Sequence, residues 1–550
     1  MLYSSMLNNS TICVVIVIFA SLWVPNLAIK TDANILYVGG GGEGNYSSIQ
    51  SAINDALPGD IIFVFDESSP YYENICINKS IILIGENKET TIINGKYENT
   101  ITILSDSVSI ERFTIINDYG HGIVVYSSNN HIYGNNIVNC DLGLYLINSS
   151  NNTITQNFIS HNSVGIYIES SSNNNIFDNI IFSNEEWAGV YFLFSDNNTF
   201  SSNFVFNCRD GIIMSNSSKN LVYKNKIIYN QLCGMDMWGG YGNKICCNNI
   251  SFNGDDAITC YSKQNFISKN SILFNEEYGL FISSENNTIS FNVVKNNGKD
   301  GIFVSSNNNK IIGNRINSNW GRGIYLHYSK NDIIGDNVFV NDSLYMRNSV
   351  KNKVFNNTVN EKPLVCLEDK VNIEVSKVGE VILIGCKNIT IENVSISNVD
   401  VAIQLWCCSN CKILNNDMAR SNEGIYMSFS CDNIISNNFI SNCETGIYLE
   451  DADANIIKEN VILNNKLGVK LFSCDANFIS HNNFMKNKRH ASFIFREIDR
   501  YPFAFNIWIR NYWNRPRILP KIILGYCYGV LFPVINVDCF PLFMPYERCL

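Results

Sequence analysis

The sequence predicts an all-β protein, a single-stranded parallel β-helix of about 20 coils closed at its amino-terminal end by a helical cap. Three observations predict it. A glycine-headed segment returns about every 22 residues from Gly122 to Gly468, reading GLYLINSSNNTITQNFI from Gly143, GIYIESSSNNNIFDNII from Gly165 and GIYMSFSCDNIISNNFI from Gly424. One and three positions after the glycine the residues are apolar, as with Leu144 and Leu146 or Ile425 and Met427, an alternation that buries one face of a strand. Polar turns rich in Ser and Asn then lead to a second short strand carrying Ile or Phe, with no helical crossover between coils. At the ~4.8 Å spacing of neighbouring strands the stack is roughly 95 Å long.

The elements follow in chain order. Residues 1–30 read as a signal peptide or an amino-terminal anchor: Ile12 to Val24 is apolar, stops at Pro25, and falls short of the about 20 residues a membrane span needs. An extracytoplasmic protein, secreted or on the cell surface, is therefore expected. Residues 31–120 carry the cap helix and the first coils. In YSSIQSAINDALPGD, Ser47 and Gln50 form a capping box, Ile49, Ala52, Ile53 and Ala56 share the face that covers the first coil, and Pro58-Gly59 ends the helix. Such a lid is needed because an open β-helix exposes its core and an unpaired strand edge. Residues 121–360 are regular repeats, 361–401 irregular coils with an insertion, 402–490 regular repeats again, and 491–550 the carboxy-terminal cap.

Composition narrows the partners. Of the 550 residues 16% are charged and 46% hydrophobic, and the net charge of -10 disfavours nucleic acid and gives no attraction to anionic lipid. No membrane contact beyond the amino-terminal anchor is expected. Sequons at Asn148, Asn197, Asn286, Asn388 and Asn393 suit an exported surface. Nineteen cysteines include Cys13 in the leading segment, so the remainder is even and permits full pairing. Cys140, Cys208 and Cys443 share one column, three residues before the repeat glycine, but stand too many coils apart to pair with one another.

A second column lies 14 residues past the anchor and is filled by asparagine, from Asn136, Asn157 and Asn179 through Asn438, Asn460 and Asn482. Asn tolerates the left-handed backbone of a sharp corner, and stacked amides hydrogen-bond from coil to coil. These residues are expected to be scaffold.

The opening YSSIQSAINDALPGDIIFVF, followed by YYENICINKSIILIGENKETTIINGK, resembles that of the right-handed parallel β-helix proteins of the NosD type, within the pectin-lyase-like superfamily. It is more distantly similar to the start of pectin methylesterases, whose downstream catalytic motifs have no counterpart here. The likeness covers nearly the whole chain after its leading segment. EKPLVCLEDKVNIEVSKVGEVILIGCKNITIENVSI looks like an irregular section of archaeal members, and NIWIRNYWNRPRILPKIILG like their closing segment. The resemblance implies a right-handed fold and carries a copper-binding label.

Three constellations are candidates for function. For metal, the best thiol cluster is Cys407, Cys408 and Cys411 with Cys431 about one coil later, whereas the six His residues never share a column on adjacent coils. For catalysis, NGDDAITC with Asp255 and Asp256 resembles the paired-Asp motif of polygalacturonases, but a GHG at Gly120 comes in reversed order and the basic Arg-x-Lys signature is missing. Stacking still groups Asp236, Asp255 and Asp256 with Arg209 and Asp210, an acidic patch able to hold calcium or act as general acid and base. For ligand binding, the outward column two residues past the anchor carries Tyr145, Tyr167, Tyr191, Phe281, Phe303, Tyr325 and Tyr345, interrupted at Ile213, Asp236 and Thr259. These rings either stack on sugars or pack on each other.

The reading that follows is an exported, non-catalytic binder of polysaccharide or surface glycan, with no cofactor predicted. The alternatives are a polysaccharide lyase, hydrolase or epimerase using the acidic patch, with calcium as its ion, and a NosD-like copper-binding maturation protein.

Overall fold

The computed structural model describes residues 33–496, 505–527 and 534–546; the expected signal or anchor lies outside them. The chain winds into a right-handed parallel β-solenoid of about 21 turns. Each coil contributes three short strands, as in Leu142–Ile147, Thr153–Thr155 and Phe158–Ser160. Each strand pairs in parallel with its equivalent one coil on: Leu144 with Ile166, Ile154 with Ile176, Ile159 with Ile181. Three faces result, the first built from the glycine-headed strands. Inward residues are aliphatic and fully buried, Leu144, Leu146, Ile154 and Ile159 among them, so the β-branched side chains fill a core that runs the length of the stack.

The repeat glycine is there for space. A Cβ on Gly165 would meet the Gly189 carbonyl oxygen at 2.5 Å and Ile181 Cγ2 at 2.9 Å. The chain turns from the third face into the first at this point, against the backbone of the next coil. Gly165→Ala is expected to cost about 2 kcal/mol through overpacking, read as a lower melting temperature.

Asparagine ladders occupy all three corners, where the sequence predicts one. At the first corner Asn152 donates from its backbone N–H (2.9 Å) and from Nδ2 (3.0 Å) to Asn174 Oδ1. Asn157 does the same to Asn179 at the second corner, and Asn162 to Asn184 at the third. The left-handed residue is the one before each rung, Asn151, Gln156 and His161 with φ of 58°, 56° and 56°. The rung itself is therefore selected for its amide, not for conformational tolerance. The first rung of the second ladder is Asn135, buried, whereas Asn136 sits half-exposed in a strand. Leu144 pairs 21 positions back with Ile123 but Thr153 pairs 22 back with His131. One residue is missing from that turn, and a count from the glycine overshoots. Cys140, Cys208 and Cys443 are free thiols standing at rungs of the third ladder, their N–H groups bonded to Asn162, Asn230 and Asn465.

The cap helix α1 spans Ile49–Asp55 and buries Ile49, Ala52 and Ile53 against the first coil, with Ala56 beside them. Its cap is Ser48, whose Oγ accepts from Ser51 N at 3.2 Å, one residue later than the expected Ser47. Glu73 displaces the capping box: its carboxylate accepts from Ile49 N and Gln50 N at 2.8 and 2.9 Å, which frees Gln50 to bind the Cys76 backbone.

Regular stacking is interrupted once. Thr358–Val359 pairs antiparallel with Lys362–Glu368, and a second run of coils starts there through Glu380–Ile384 and Val401–Trp406. The first face of the first run ends at Leu344–Arg347. Side chains of the second run satisfy its open edge. Asp400 accepts from Gly323 N and Ser343 N (2.9 and 2.8 Å), Glu380 from Leu344 N (3.1 Å) and Gln404 from Met346 N (3.3 Å). Tyr345 packs against Tyr426 with ring centroids 5.8 Å apart, inside a small apolar cluster. At the far end, Lys521–Cys527 and Val534–Asp538 form an antiparallel hairpin over the last coils.

Candidate acidic cup on the first face

The outward column of the first face holds its expected register: Tyr145, Tyr167, Tyr191, Ile213, Asp236, Thr259, Phe281, Phe303, Tyr325 and Tyr345 pair in succession. Centroids of neighbouring rings lie 5.1 to 5.2 Å apart, edge-to-face for Tyr145 on Tyr167 and Tyr167 on Tyr191, stacked for Phe281 on Phe303. The ring faces are thus turned towards one another and half-buried, which contributes about 0.5–1.5 kcal/mol per pair to the sheet. Tyr345 is only 5% exposed, closed off by Tyr426. It has no open face for a sugar, because the irregular section brings the second run of coils over it.

Where the rings stop, carboxyl groups converge. Cys233 Sγ and carboxylate oxygens of Asp255 and Asp256 lie within 4.8 Å of one another, the only group of three metal-ligating side chains among the described residues. Thr259 Oγ1 donates to Asp256 Oδ2 at 2.8 Å and lies 3.5 Å from Cys233 Sγ. Asp256 Oδ1 accepts from Tyr278 N and Asp210 Oδ1 from Cys233 N, at 2.9 and 3.1 Å. Burial pushes the Asp210 and Asp256 carboxyls up to about 6, and neighbouring carboxylates add to it. Asp236 is raised by burial as well, and its Oδ1 is buried with no hydrogen-bond partner. The Cys233 thiol is pushed up by burial and by the carboxylates around it.

The rim is aromatic and open. Trp238 is 54% exposed and packs at a tilt on Tyr261, centroids 5.2 Å apart, which reaches Phe281 at 5.8 Å; Trp187 stands over the preceding coil, its carbonyl bonded to Asp210 N. Asp255 and Asp256 thus meet at Cys233, and Asp236 lies near enough for the Asp255 charge to raise its carboxyl. Sequence reasoning missed Cys233, which lies one coil before Asp256 because Met235 pairs with Ile258. It also missed the Trp187 and Tyr261 rim; Trp187 lies in a turn outside the strand register.

The thiol cluster is rearranged. Cys407 and Cys431 are exposed, whereas Cys408 and Cys411 are buried. Cys407 takes a left-handed φ of 53° just after its strand, at a surface turn. One coil before Cys408 the register places the buried Cys386, with the Cys386 thiol donating to the Leu367 and Ile384 carbonyls and the Cys408 thiol to that of Trp406.

The family model described as periplasmic copper-binding protein (NosD) matches residues 74–257, 248–368 and 367–515. The chain belongs to the NosD family. No curated protein sequence matches this NosD-family chain. Among solved structures, it is similar to the periplasmic alginate epimerase AlgG at 14% identity, covering 55% of this chain and 76% of that one with a TM-score of 0.33. DFA-IIIase from Arthrobacter chlorophenolicus A6 shows 12% identity over 56% and 94% of the two chains, TM-score 0.39. The Dettilon tailspike protein shows 12% over 74% and 66%, TM-score 0.32. At these values none transfers an activity. Among the described residues no helix is long and apolar enough to cross a membrane.

The donor chemistry limits which metal would fit. In the cup, carboxylates outnumber the single thiol, and none of the six His residues joins it, a set that suits harder or borderline cations. Copper in its reduced form prefers thiolates, and the cup offers it a single thiol, Cys233.

Proposed function

We propose that this NosD-family protein works outside the cytoplasm as a binder of polysaccharide or surface glycan, which it receives across the acidic cup of the first face. One observation carries the reading: the cup is where the self-packed aromatic column opens, exchanging stacked rings for carboxyl groups with exposed Trp187, Trp238 and Tyr261 at the rim. Carboxylates accept hydrogen bonds from sugar hydroxyls, and the exposed indole rings offer the apolar surface on which pyranose faces lie. An acidic cup repels polyanions, so neutral or amino-bearing glycans are the expected class. On a glycan array the wild type is expected to retain such glycans, with Trp238→Ala and Asp236→Asn each weakening retention about tenfold, equivalent to 1.4 kcal/mol. Absence of any retained glycan, or unchanged binding by both variants, rejects the proposal.

A second reading rests on Asp210 and Asp256. Carboxyls held at about 6 beside other carboxylates are equipped to pass a proton at neutral pH, as polysaccharide cleavage or epimerisation requires. Incubation of the retained glycan with the protein separates the two: product formation lost in Asp256→Asn supports catalysis, and an unaltered polymer supports binding alone.

A further inference from the structure

Charge is spread unevenly along the chain. From Lys486 onward the sequence carries ten Lys or Arg against four Asp or Glu, a net of +6, whereas the whole chain carries -10. The stack is therefore acidic along its length and basic at its closing end, a contrast that the whole-chain charge conceals. Among the described residues of this end the one carboxylate is Asp538, which is buried and accepts from Asn511 and Trp513. Arg496 is paired with Glu450 and Asp451, at 2.9 and 3.2 Å, but no carboxylate among the described residues pairs with Arg489, Arg515, Arg517 or Lys521. These four cations gather at one corner. Arg489 donates to the Leu524 carbonyl at 2.9 Å, and Lys521 Nζ sits 5.9 Å from the centre of the Trp513 ring. Burial lowers the Lys521 ammonium and the Arg517 and Arg515 charges lower it further; burial, then Lys521 and Arg517, bring His490 down to about 4.

The same corner is apolar. Ile518 and Leu519, between Arg517 and Lys521, are 88% and 76% exposed. In the hairpin of Lys521–Cys527 with Val534–Asp538, Ile523 and Asn536 point inward, while Ile522, Leu524, Tyr526 and Ile535 point outward and are exposed. Leu524 stands opposite Ile535, so the outer side chains share one face. A strand facing water normally alternates apolar with polar residues, and here both sides are apolar. An exposed apolar face rimmed by charge marks a docking surface.

Charge and shape choose the occupant. A second copy brings the same basic end, and like charges repel. A soluble polyanion satisfies the cations but leaves Ile518 and Leu519 in water. We propose that this end of the stack docks on the surface of an anionic lipid bilayer, with Ile518, Leu519 and the outer face of the hairpin at the acyl-chain boundary and the four cations against the lipid phosphates. Aliphatic side chains enter that boundary, tyrosine suits the headgroup level, and each Lys or Arg near an anionic surface strengthens partition about fivefold. The acidic remainder of the stack is repelled by the same lipids, so the body stands away from the bilayer and the acidic cup faces the solution. The proposal stands whether or not the cup binds glycan.

The test is sedimentation of the full chain with vesicles of phosphatidylcholine alone, or of phosphatidylcholine mixed equally with phosphatidylglycerol. Binding to the mixed vesicles is expected to be about tenfold tighter or more, and to weaken as salt is raised. Ile518→Asp with Leu519→Asp, and Arg489→Glu with Arg515→Glu, each weaken it about tenfold, whereas Lys310→Glu with Lys330→Glu, far along the stack, binds as the wild type does. All six side chains are exposed, and melting of each variant confirms folding. The leading apolar segment is common to every variant, so a difference between them belongs to the cap. Leu519→Trp reports insertion directly, through quenching by bromine-labelled acyl chains beyond that of the wild type. Equal binding to the two kinds of vesicle, unchanged binding by Ile518→Asp with Leu519→Asp, no added quenching of Leu519→Trp, or a lipid-free dimer that those aspartates dissolve overturns the proposal.

Discussion

Asn179→Ala is expected to produce the largest loss of stability of any single surface-neutral change in the regular coils. Asn179 Oδ1 accepts from both the backbone N–H and the Nδ2 of Asn157, each at 3.0 Å, and its own Nδ2 reaches the Ile154 and Phe177 carbonyls and Asn203 Oδ1. Truncation to Ala leaves a buried N–H and a buried carbonyl without partners. Each orphaned group costs roughly 1–3 kcal/mol, so a loss of about 3 kcal/mol is expected. Thermal melting and protease susceptibility read the effect, with Asn136→Ala, half-exposed in its strand, as the near-neutral contrast. Equal melting temperatures for the two variants show that the ladder is dispensable.

Asp342→Asn is expected to act in the opposite direction, and in a pH-dependent way. Asp342 occupies a rung of the third ladder, where it accepts from Asn319 N at 3.1 Å and Asn319 Nδ2 at 2.8 Å. Burial, and then the nearby Asp400 charge, push its carboxyl up to about 9, while burial takes Asp400 to about 7. A carboxyl whose pKa is raised in the folded state binds its proton more tightly there than in the unfolded chain. Its contribution is complete below the unfolded value near 4 and is lost as pH rises through the folded one. The wild type is therefore expected to lose stability between pH 5 and pH 9. The amide keeps the accepting oxygen without a proton to lose, so Asp342→Asn gains about 3 kcal/mol at pH 8 and little at pH 4. Denaturant melts at the two pH values decide it, and an equal change at both removes ionisation as the cause.

Architecture was legible in the sequence because both of its determinants are periodic. Glycine spacing and alternation each recur about every 22 residues, so register follows by counting, and Tyr145 over Tyr167 or Asp236 beside Thr259 could be placed from it. Counting fails wherever a coil gains or loses a residue. The missing residue before His131 moved the rung from Asn136 to Asn135, and the reversal at Thr358 hid the packing that buries Tyr345. The cup was half legible: Asp236, Asp255 and Asp256 follow the register, but Cys233 carries no motif and shows itself only when coils are laid one on another. The thiol corner shows the same limit of counting. Adjacency in sequence favoured Cys407, whereas in a solenoid the neighbour that matters is a full coil away, at Cys386.

The asparagine ladders also give the molecule a direction. From rung to rung the donors point one way, as Asn157 gives to Asn179 and Asn179 to Asn203, while Nδ2 of each also turns back to a carbonyl of the coil before, so the two ends of the stack are chemically different. Asp538 accepts from Asn511 N, Asn511 Nδ2 and Trp513 Nε1, and a carboxylate has no hydrogen to pass on. The final coil is thereby a terminator. Among the described residues this ladder therefore ends on an acceptor at Asp538 instead of passing to a further amide.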